Sequence, residues 1–189
     1  SQPDGVVIDG NTFSGSDDDL QAIYIGYNKG FAITGNQIAL TGIRSFGVHM
    51  DGSDADASGV ALLANNFVRA DRPVLLGTGV TGIRIIHNSL YASGTNATPL
   101  WVVGSSDEVV ELTNNVLKSA TSGPALELFE VGNLLAADGN VYHTVTGPAL
   151  VTVDGTDYAD LAAWQAASGL DARSRSFNVA FQNAGQGDL

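Results

Sequence analysis

The sequence contains no cysteine, which excludes disulfide bonds and thiolate chemistry. Basic residues are few: the chain has 8 Lys and Arg against 20 Asp and Glu, and its formal net charge is −12. Nucleic acids and anionic membrane surfaces are bound through basic patches, so we expect neither as a partner. No apolar run approaches the roughly 18 residues that a membrane-spanning helix needs. Charged residues are only 15% of the chain and hydrophobic residues 44%, which predicts one folded domain.

An asparagine recurs along most of the chain in one local setting. Apolar residues lie five and three positions before it and two positions after it in nearly every copy, and such alternation predicts a strand with one buried face. The copies follow each other at intervals of about 26 residues, a period typical of solenoid proteins. We expect stacked copies to align the amides into a ladder that satisfies otherwise buried polar groups. The six asparagines are Asn11, Asn36, Asn65, Asn88, Asn115 and Asn140.

A second short strand follows each asparagine, from Ile23–Ile25 in the first copy to Ala149–Val151 in the last. Four of these strands follow or include a proline, and glycine follows most of them, which marks strand ends and tight corners. Each repeat therefore holds three strands and three turns, and its length of about 26 residues predicts a right-handed parallel β-helix. The alternative is a β-sandwich with a strand roughly every eight to twelve residues. A β-sandwich does not require the same residue type at the same position of six successive repeats, so the recurring asparagine favours the β-helix.

The pattern changes near the C-terminus. Residues 156–169 predict a helix that is capped at its start by Thr156 or Asp157 and ended by Gly169. Residues 177–181 predict a final short strand. The helix is expected to pack its apolar face on the last coil.

These elements predict a single all-β domain. Its coils, about six of them, occupy residues 1–154, and residues 155–189 form a helix and strand that cap the coils. The first coil starts at Val6 without a capping helix. Because an open solenoid end leaves strand edges unpaired, we expect upstream coils or another subunit to cover it.

The repeated unit apolar-x-apolar-x-x-Asn-x-apolar resembles the pectate-lyase-like superfamily of right-handed parallel β-helices. The segment with Trp164, Gln165, Gly169, Asp171 and Ser174 resembles the C-terminal part of secreted bacterial β-helix repeat proteins. The resemblance implies the fold and a secreted or cell-surface bacterial protein, which the low lysine content and the absence of cysteine also favour. It implies no single activity, because the superfamily includes polysaccharide lyases, hydrolases, epimerases and surface proteins without known chemistry.

The middle residue of each second strand is predicted to point outward, since side chains alternate along a strand. Successive coils stack at roughly 4.8 Å, so these residues would form one column on a flat face. In the resembling enzymes the corresponding face binds the sugar chain. The column consists of Tyr24, His49, Leu75, Trp101, Glu127 and Leu150.

Several side chains in or beside this column suit a sugar ligand. An exposed Trp101 and Tyr24 can stack on pyranose rings, and His49 and Glu127 can bind hydroxyl groups or move protons. Arg69 and Arg72, in the segment next to the column, can neutralise a uronate carboxylate. The alternatives are aromatic residues that only pair across strands and arginines that only form surface ion pairs.

The acidic loop after the second column residue suggests calcium. Asp51, Asp54 and Asp56 place oxygen atoms at positions that resemble the first half of a calcium loop. The twelfth position is Asn65 instead of Glu, so a solvated acidic turn is the alternative.

Two functions remain open at this point. The first is an extracellular structural or assembly module that contacts polysaccharide. The second is a polysaccharide lyase, epimerase or hydrolase that acts on an acidic glycan, with Tyr24 and His49 near enough for β-elimination. Glycoside hydrolases need at least two carboxylates beside the scissile bond, and the column holds only Glu127. No set of catalytic residues is identified, and the binding module is favoured.

Overall fold

The computed structural model describes residues 4–55, 61–104 and 110–181. Over these ranges the chain winds into a β-solenoid of about six turns, with one helix near the C-terminus. The predicted parallel β-helix is therefore confirmed.

Three sheets run along the solenoid, and each coil contributes one strand to each sheet. The first sheet contains β1 (Asp4–Asp9), β4 (Lys29–Thr34), β7 (Ala61–Ala64), β10 (Ile83–Ile86), β13 (Val110–Thr113) and β16 (Leu134–Asp138). The second sheet contains β2 (Thr12–Gly15), β5 (Gln37–Leu40), β8 (Phe67–Ala70), β11 (Ser89–Ala92), β14 (Val116–Ser119), β17 (Val141–Thr144) and β20 (Arg175–Ser176). The third sheet contains β3 (Gln21–Gly26), β6 (Phe46–Asp51), β9 (Arg72–Leu76), β12 (Leu100–Val102), β15 (Leu126–Leu128), β18 (Val151–Val153) and β19 (Thr156–Tyr158).

The described strands of neighbouring coils pair in parallel, whereas β19 pairs antiparallel with β18. Inward-facing residues stack in columns because equivalent residues of successive coils are in register. In the first sheet Ile33, Leu63, Ile85 and Leu112 occupy one such column, and each is 0% exposed. Burial of an aliphatic side chain of this size contributes roughly 1.5–3 kcal/mol, so the stacked columns are the main source of stability.

The asparagine ladder is confirmed, but its third member is Asn66 and the prediction of Asn65 was wrong. Asn66 Oδ1 accepts hydrogen bonds from the backbone N of Asn36 at 2.9 Å and from Asn36 Nδ2 at 3.0 Å. Asn66 Nδ2 donates to Asn88 Oδ1 at 3.0 Å. The ladder then continues through Asn115 to Asn140, where Asn115 Nδ2 donates to Asn140 Oδ1 at 3.2 Å.

The reason for this shift is the backbone conformation just before each ladder asparagine. That residue has a positive φ in every coil, and Asn65 adopts it with φ 56°. Asparagine tolerates the left-handed region almost as well as glycine does, so two adjacent asparagines leave the register ambiguous in the sequence. The equivalent residues in the other coils are Gly10, Gly35, His87, Asn114 and Gly139.

The same shift moves the apolar positions of that coil. Val68, and not Phe67, pairs with Ile38 and Leu90 in the inward column of the second sheet. In the first sheet the inward residue is Leu63 in place of Leu62, and Val60 lies outside the described residues.

Two further register predictions were wrong in the last coil. A bulge between Val110 and Glu111 pairs Val110 with Leu134, so the predicted core residue Leu135 is 72% exposed. The third-sheet strand is Val151–Val153, not Ala149–Val151. The bulge adds the residue Leu135 to one strand, and the period of the sequence repeat does not reveal such an insertion.

The C-terminal helix is shorter than predicted. It spans Leu161–Ser168 (α1), and its N-cap is Asp160, whose carboxylate accepts a hydrogen bond from Ala163 N at 2.8 Å. Gly169 ends it with φ 72°, as predicted. Residues 156–158 belong to β19. A one-turn 3₁₀ helix at Val131–Asn133 precedes β16.

The helix packs on the coils as expected, because Trp164 is fully buried within the same apolar cluster as the coil residues. The final strand is β20, and the predicted strand at residues 177–181 is wrong: this segment is described without strand pairing. In the described part of the chain, no helix has the length and apolarity needed to cross a membrane.

Candidate ligand-binding face of the third sheet

The predicted outward column exists on the third sheet. Strand register aligns Tyr24 with His49, then Leu75, Trp101 and Glu127. Its sixth member was predicted wrongly, because Thr152 and not Leu150 pairs with Glu127. Leu150 is buried instead.

A continuous ribbon of rings and one guanidinium runs across this face. The ring centroids of Tyr24 and His49 are 5.2 Å apart, and those of His49 and Phe46 are 5.4 Å apart. The Arg72 guanidinium lies 5.7 Å from the Phe46 ring centroid and 4.5 Å from that of Trp101. Cation–π contacts of this geometry hold an arginine in place without neutralising it. Arg72 makes no ion pair with any residue that the structure describes.

The place of Phe46 in this ribbon was not predicted from the sequence. Phe46 begins β6 and pairs with Arg72, which begins β9. Both residues lie outside the alternation that defines the column, so only the register between coils brings them together.

Two clefts lie side by side at Trp101 and Glu127. The smaller has a volume of about 140 Å³ and is also lined by Arg72, Asn96 and Thr98. Thr98 Oγ1 donates a hydrogen bond of 3.2 Å to Glu127 Oε2, which orients that carboxylate. This cleft therefore combines hydrogen-bond donors and acceptors with one aromatic wall.

The larger cleft has a volume of about 220 Å³, and Phe129 and Asp154 line it together with Trp101 and Glu127. Phe129 is half exposed. Asp154 lies in the turn after β18 with φ 46°. The sequence did not indicate Phe129 or Asp154, because neither belongs to the repeated pattern and the cleft arises only from the stacking of coils.

At the other end of the ribbon, Asp51 accepts a hydrogen bond of 3.4 Å from Tyr24 OH and lies 3.1 Å from His49 Nε2. Partial desolvation, followed by the negative charge of Asp51, raises the pKa of Tyr24. Tyr24 is thus a hydrogen-bond donor at neutral pH and not a base. His49 Nδ1 is buried and has no hydrogen-bond partner among the described residues. These two residues are adjacent, as predicted, but neither presents a free base to the surface.

Arg69 and Arg72 lie on different sheets. Arg72 begins β9 on the third sheet, whereas Arg69 lies in β8 on the second sheet, where its guanidinium is 5.9 Å from the Tyr91 ring centroid. Only one residue, Asp71, separates the two strands, and the chain turns the corner of the solenoid there. The structure therefore places Arg72 beside the column and Arg69 away from it.

The calcium hypothesis stays a prediction. Asp51 contacts Tyr24 and His49, and Asp54 Oδ1 is buried without a hydrogen-bond partner among the described residues. Asp56 lies outside the described ranges. Within residues 4–55, 61–104 and 110–181 no group of three acidic or histidine side chains is placed to hold a metal ion.

Comparison with known proteins assigns no function to this face. No protein-family model, curated protein or solved structure matches the chain closely enough to show a relationship.

Proposed function

We propose that the chain is a β-helix module that binds a polysaccharide along the outward face of its third sheet. The observation that carries this proposal is that Trp101 and Glu127 line two adjacent clefts on one face. A polymer of repeating units is recognised by neighbouring subsites, because each unit presents the same groups at a regular spacing.

The chemistry of the two clefts suits sugar rings. Binding sites for small organic units combine apolar or aromatic walls with a few placed polar groups. Trp101 supplies the aromatic wall, Glu127 accepts hydrogen bonds from hydroxyl groups, and Arg72 donates to ring or hydroxyl oxygens. Arg72 is held by two aromatic rings and lacks an ion pair among the described residues, so its donors remain available to a ligand.

The ribbon is also long enough for a chain. Together with Glu127, which pairs with Trp101 on the next strand, it crosses five successive strands from Tyr24, which corresponds to about 19 Å along the solenoid axis. An extended glycan of several units would lie across the strands over this distance.

We further propose that the chain belongs to the pectate-lyase-like superfamily and acts as an extracellular bacterial module. The repeated asparagine unit, the low lysine content and the absence of cysteine support this placement.

Tryptophan fluorescence tests the binding directly. The chain has two tryptophans, and Trp164 is fully buried. A change in emission when a ligand binds to the third sheet therefore reports on Trp101. Neutral glycans such as xylan and β-glucan, and acidic ones such as polygalacturonate and alginate, serve as probes. We expect at least one of them to shift the emission, and calorimetry to show its binding lost in Trp101→Ala. The control is Phe177→Ala, an exposed aromatic residue outside this face.

The proposal fails if none of these glycans binds. It also fails if Trp101→Ala binds as the parent does, since the ligand would then lie elsewhere.

A second candidate function, glycoside hydrolysis, is favoured by one observation. Glu127 and Asp154 line the same cleft, and hydrolysis of a glycosidic bond needs two carboxyl groups on either side of it. We expect a hydrolase of this kind to release reducing ends from the bound glycan. Glu127→Gln and Asp154→Asn would each abolish this release while Trp101 fluorescence still reports binding. Binding without product from the parent protein would exclude hydrolysis and leave the binding function intact.

A further inference from the structure

The segment that follows β20 does not leave the protein but crosses the outward face of the second sheet. Lys118 Nζ donates to Asn178 Oδ1 at 2.9 Å and to the backbone carbonyl of Val179 at 2.6 Å. The Phe181 ring packs edge-on against Phe67 and Tyr91, with centroid distances of 5.7 Å and 5.6 Å. Residues 177–181 therefore lie against this sheet through side chains and one carbonyl.

The segment runs across the strands, back toward earlier coils. It starts beside β17, to which β20 is paired, then passes β14 at Lys118 and reaches β11 and β8 at Phe181. It therefore spans four strands of the second sheet.

The surface beneath the segment has a defined composition. Outward residues of successive strands form the column Arg69, Tyr91, Lys118 and His143. Arg69 and Lys118 approach the Tyr91 ring at 5.9 Å and 5.8 Å, and Lys118 also lies 5.7 Å from the Phe181 ring. Burial lowers the pKa of Lys118, and burial followed by the charge of Lys118 lowers that of His143, which agrees with a covered surface.

Phe67 shows how much the segment covers. It points away from the core, because its neighbour Val68 occupies the inward column, and yet it is only 6% exposed. Phe181 packs on its ring. Phe67 is thus an outward aromatic residue on which residues 177–181 pack, so the surface around it already holds a peptide segment.

We propose that this surface, the groove formed by Phe67, Arg69, Tyr91 and Lys118, is a peptide-binding site, and that the same segment of a second copy of the chain can occupy it in place of the chain's own. The occupant must be an extended peptide with an aromatic side chain and a backbone carbonyl two residues before it.

One observation supports an exchangeable occupant. The segment is joined to the sheet by side-chain contacts and not by strand pairing among the described residues, so few bonds hold it. Exchange of identical segments between copies needs no new contact chemistry, since each groove receives the sequence that already fits it.

A labelled peptide with the sequence of residues 174–183 tests the groove in the intact chain of 189 residues. The parent should bind it weakly, because the attached segment competes at a high effective concentration. Phe181→Ala weakens the attached segment and should raise the affinity for the peptide by roughly tenfold or more. Phe177→Ala is the matched control, since Phe177 is 50% exposed, and it should bind as the parent does. The proposed peptide-binding site would be wrong if Phe181→Ala did not bind the peptide, or if Phe177→Ala bound it as tightly as Phe181→Ala.

A mixture of two variants tests the exchange between copies. Phe181→Ala has an open groove with an impaired segment, and Tyr91→Ala has an intact segment with an impaired groove. Each alone should sediment as a monomer, and an equimolar mixture should form a heterodimer. Lys118→Ala replaces Tyr91→Ala if circular dichroism shows that the latter is unfolded. Peptide binding without a heterodimer would overturn the exchange between copies.

Discussion

Trp164 Nε1 donates a hydrogen bond of 2.8 Å to Asp171 Oδ2, and both residues are buried. Asp171 also accepts hydrogen bonds from Tyr142 OH at 3.0 Å and from Asn140 Nδ2 at 3.1 Å. Ser174 Oγ accepts from Asn140 N at 2.8 Å. Asp171 and Ser174 together therefore take the place that the next ladder asparagine would occupy, and they end the ladder with every donor paired.

Replacement of Asp171 by asparagine should destabilise the protein by about 2–4 kcal/mol, because an amide offers one acceptor oxygen where the carboxylate offers two. Asparagine tolerates the positive φ of 60° at this position, so backbone strain does not confuse the result. Urea unfolding measures the change in the free energy of unfolding. Asp17→Ala, at an exposed acidic turn, is the control and should change it by less than about 0.5 kcal/mol. Equal effects of the two variants would contradict the role of Asp171.

The third ladder position distinguishes two neighbouring asparagines. Asn66→Ala should cost about 3–4 kcal/mol, because Asn36 N and Nδ2 lose their acceptor in the core and Asn88 Oδ1 keeps only the backbone donor of residue 66. Asn65→Gly should be close to neutral, since Asn65 only supplies the left-handed backbone that glycine also adopts. Thermal or urea unfolding of both variants measures the difference. A larger loss for the Asn65 variant would contradict the register of this coil.

The folded protein should lose stability in alkali because of the buried hydroxyl group of Tyr142. Burial, and then the negative charge of Asp171, raises the pKa of Tyr142 well above its ordinary value of 10.0. The folded state therefore keeps a proton that the unfolded state releases, so the stabilisation is complete below pH 10 and is lost as the pH rises above it. Urea midpoints between pH 8 and about 12 should fall above pH 10 in the parent. Tyr142→Phe should be less stable at pH 8, by about 1 kcal/mol, and should show a shallower fall. Parallel curves for the two proteins would contradict this cause.

Arg72 should contribute to glycan binding through its planar shape as well as its charge. Arg72→Lys keeps the charge but stacks less well on Trp101 and Phe46, so the affinity for a glycan that shifts Trp101 emission should fall several-fold. Arg69→Lys is the matched control, since Arg69 lies on the second sheet. Calorimetry compares the two variants, and an equal loss in both would argue against the third-sheet site.

The sequence predicted the parallel coils, the ladder and the outward column because each coil repeats the same short pattern. Alternation at spacing two marks which side chains face the core, and a recurring asparagine marks where the chain turns. The helix that contains Trp164 was predicted from the sequence, but the hydrogen bonds of Trp164 and Asp171 were not. They depend on how the helix rests on the last coil, which no local pattern encodes.

Register within single coils was less predictable. Asn65 and Asn66 both suit the turn, and the bulge at Leu135 adds one residue that periodicity does not show. In such coils the strands of the two neighbouring coils determine which residues face the core, because strands pair only when their inward residues are in register.

The sequence by itself determined that this chain is a solenoid, because a local pattern repeated six times has one way to bury all its apolar faces at once. Only the tertiary structure decided which residues meet on the surface. Asp154 and Glu127 line one cleft and Arg72 lies over the Trp101 ring, and both pairs join residues from different coils. Phe181 packs on Phe67 from the segment after the last strand. The stacking distance and the corners of the coils bring together these residues, which are far apart in the sequence.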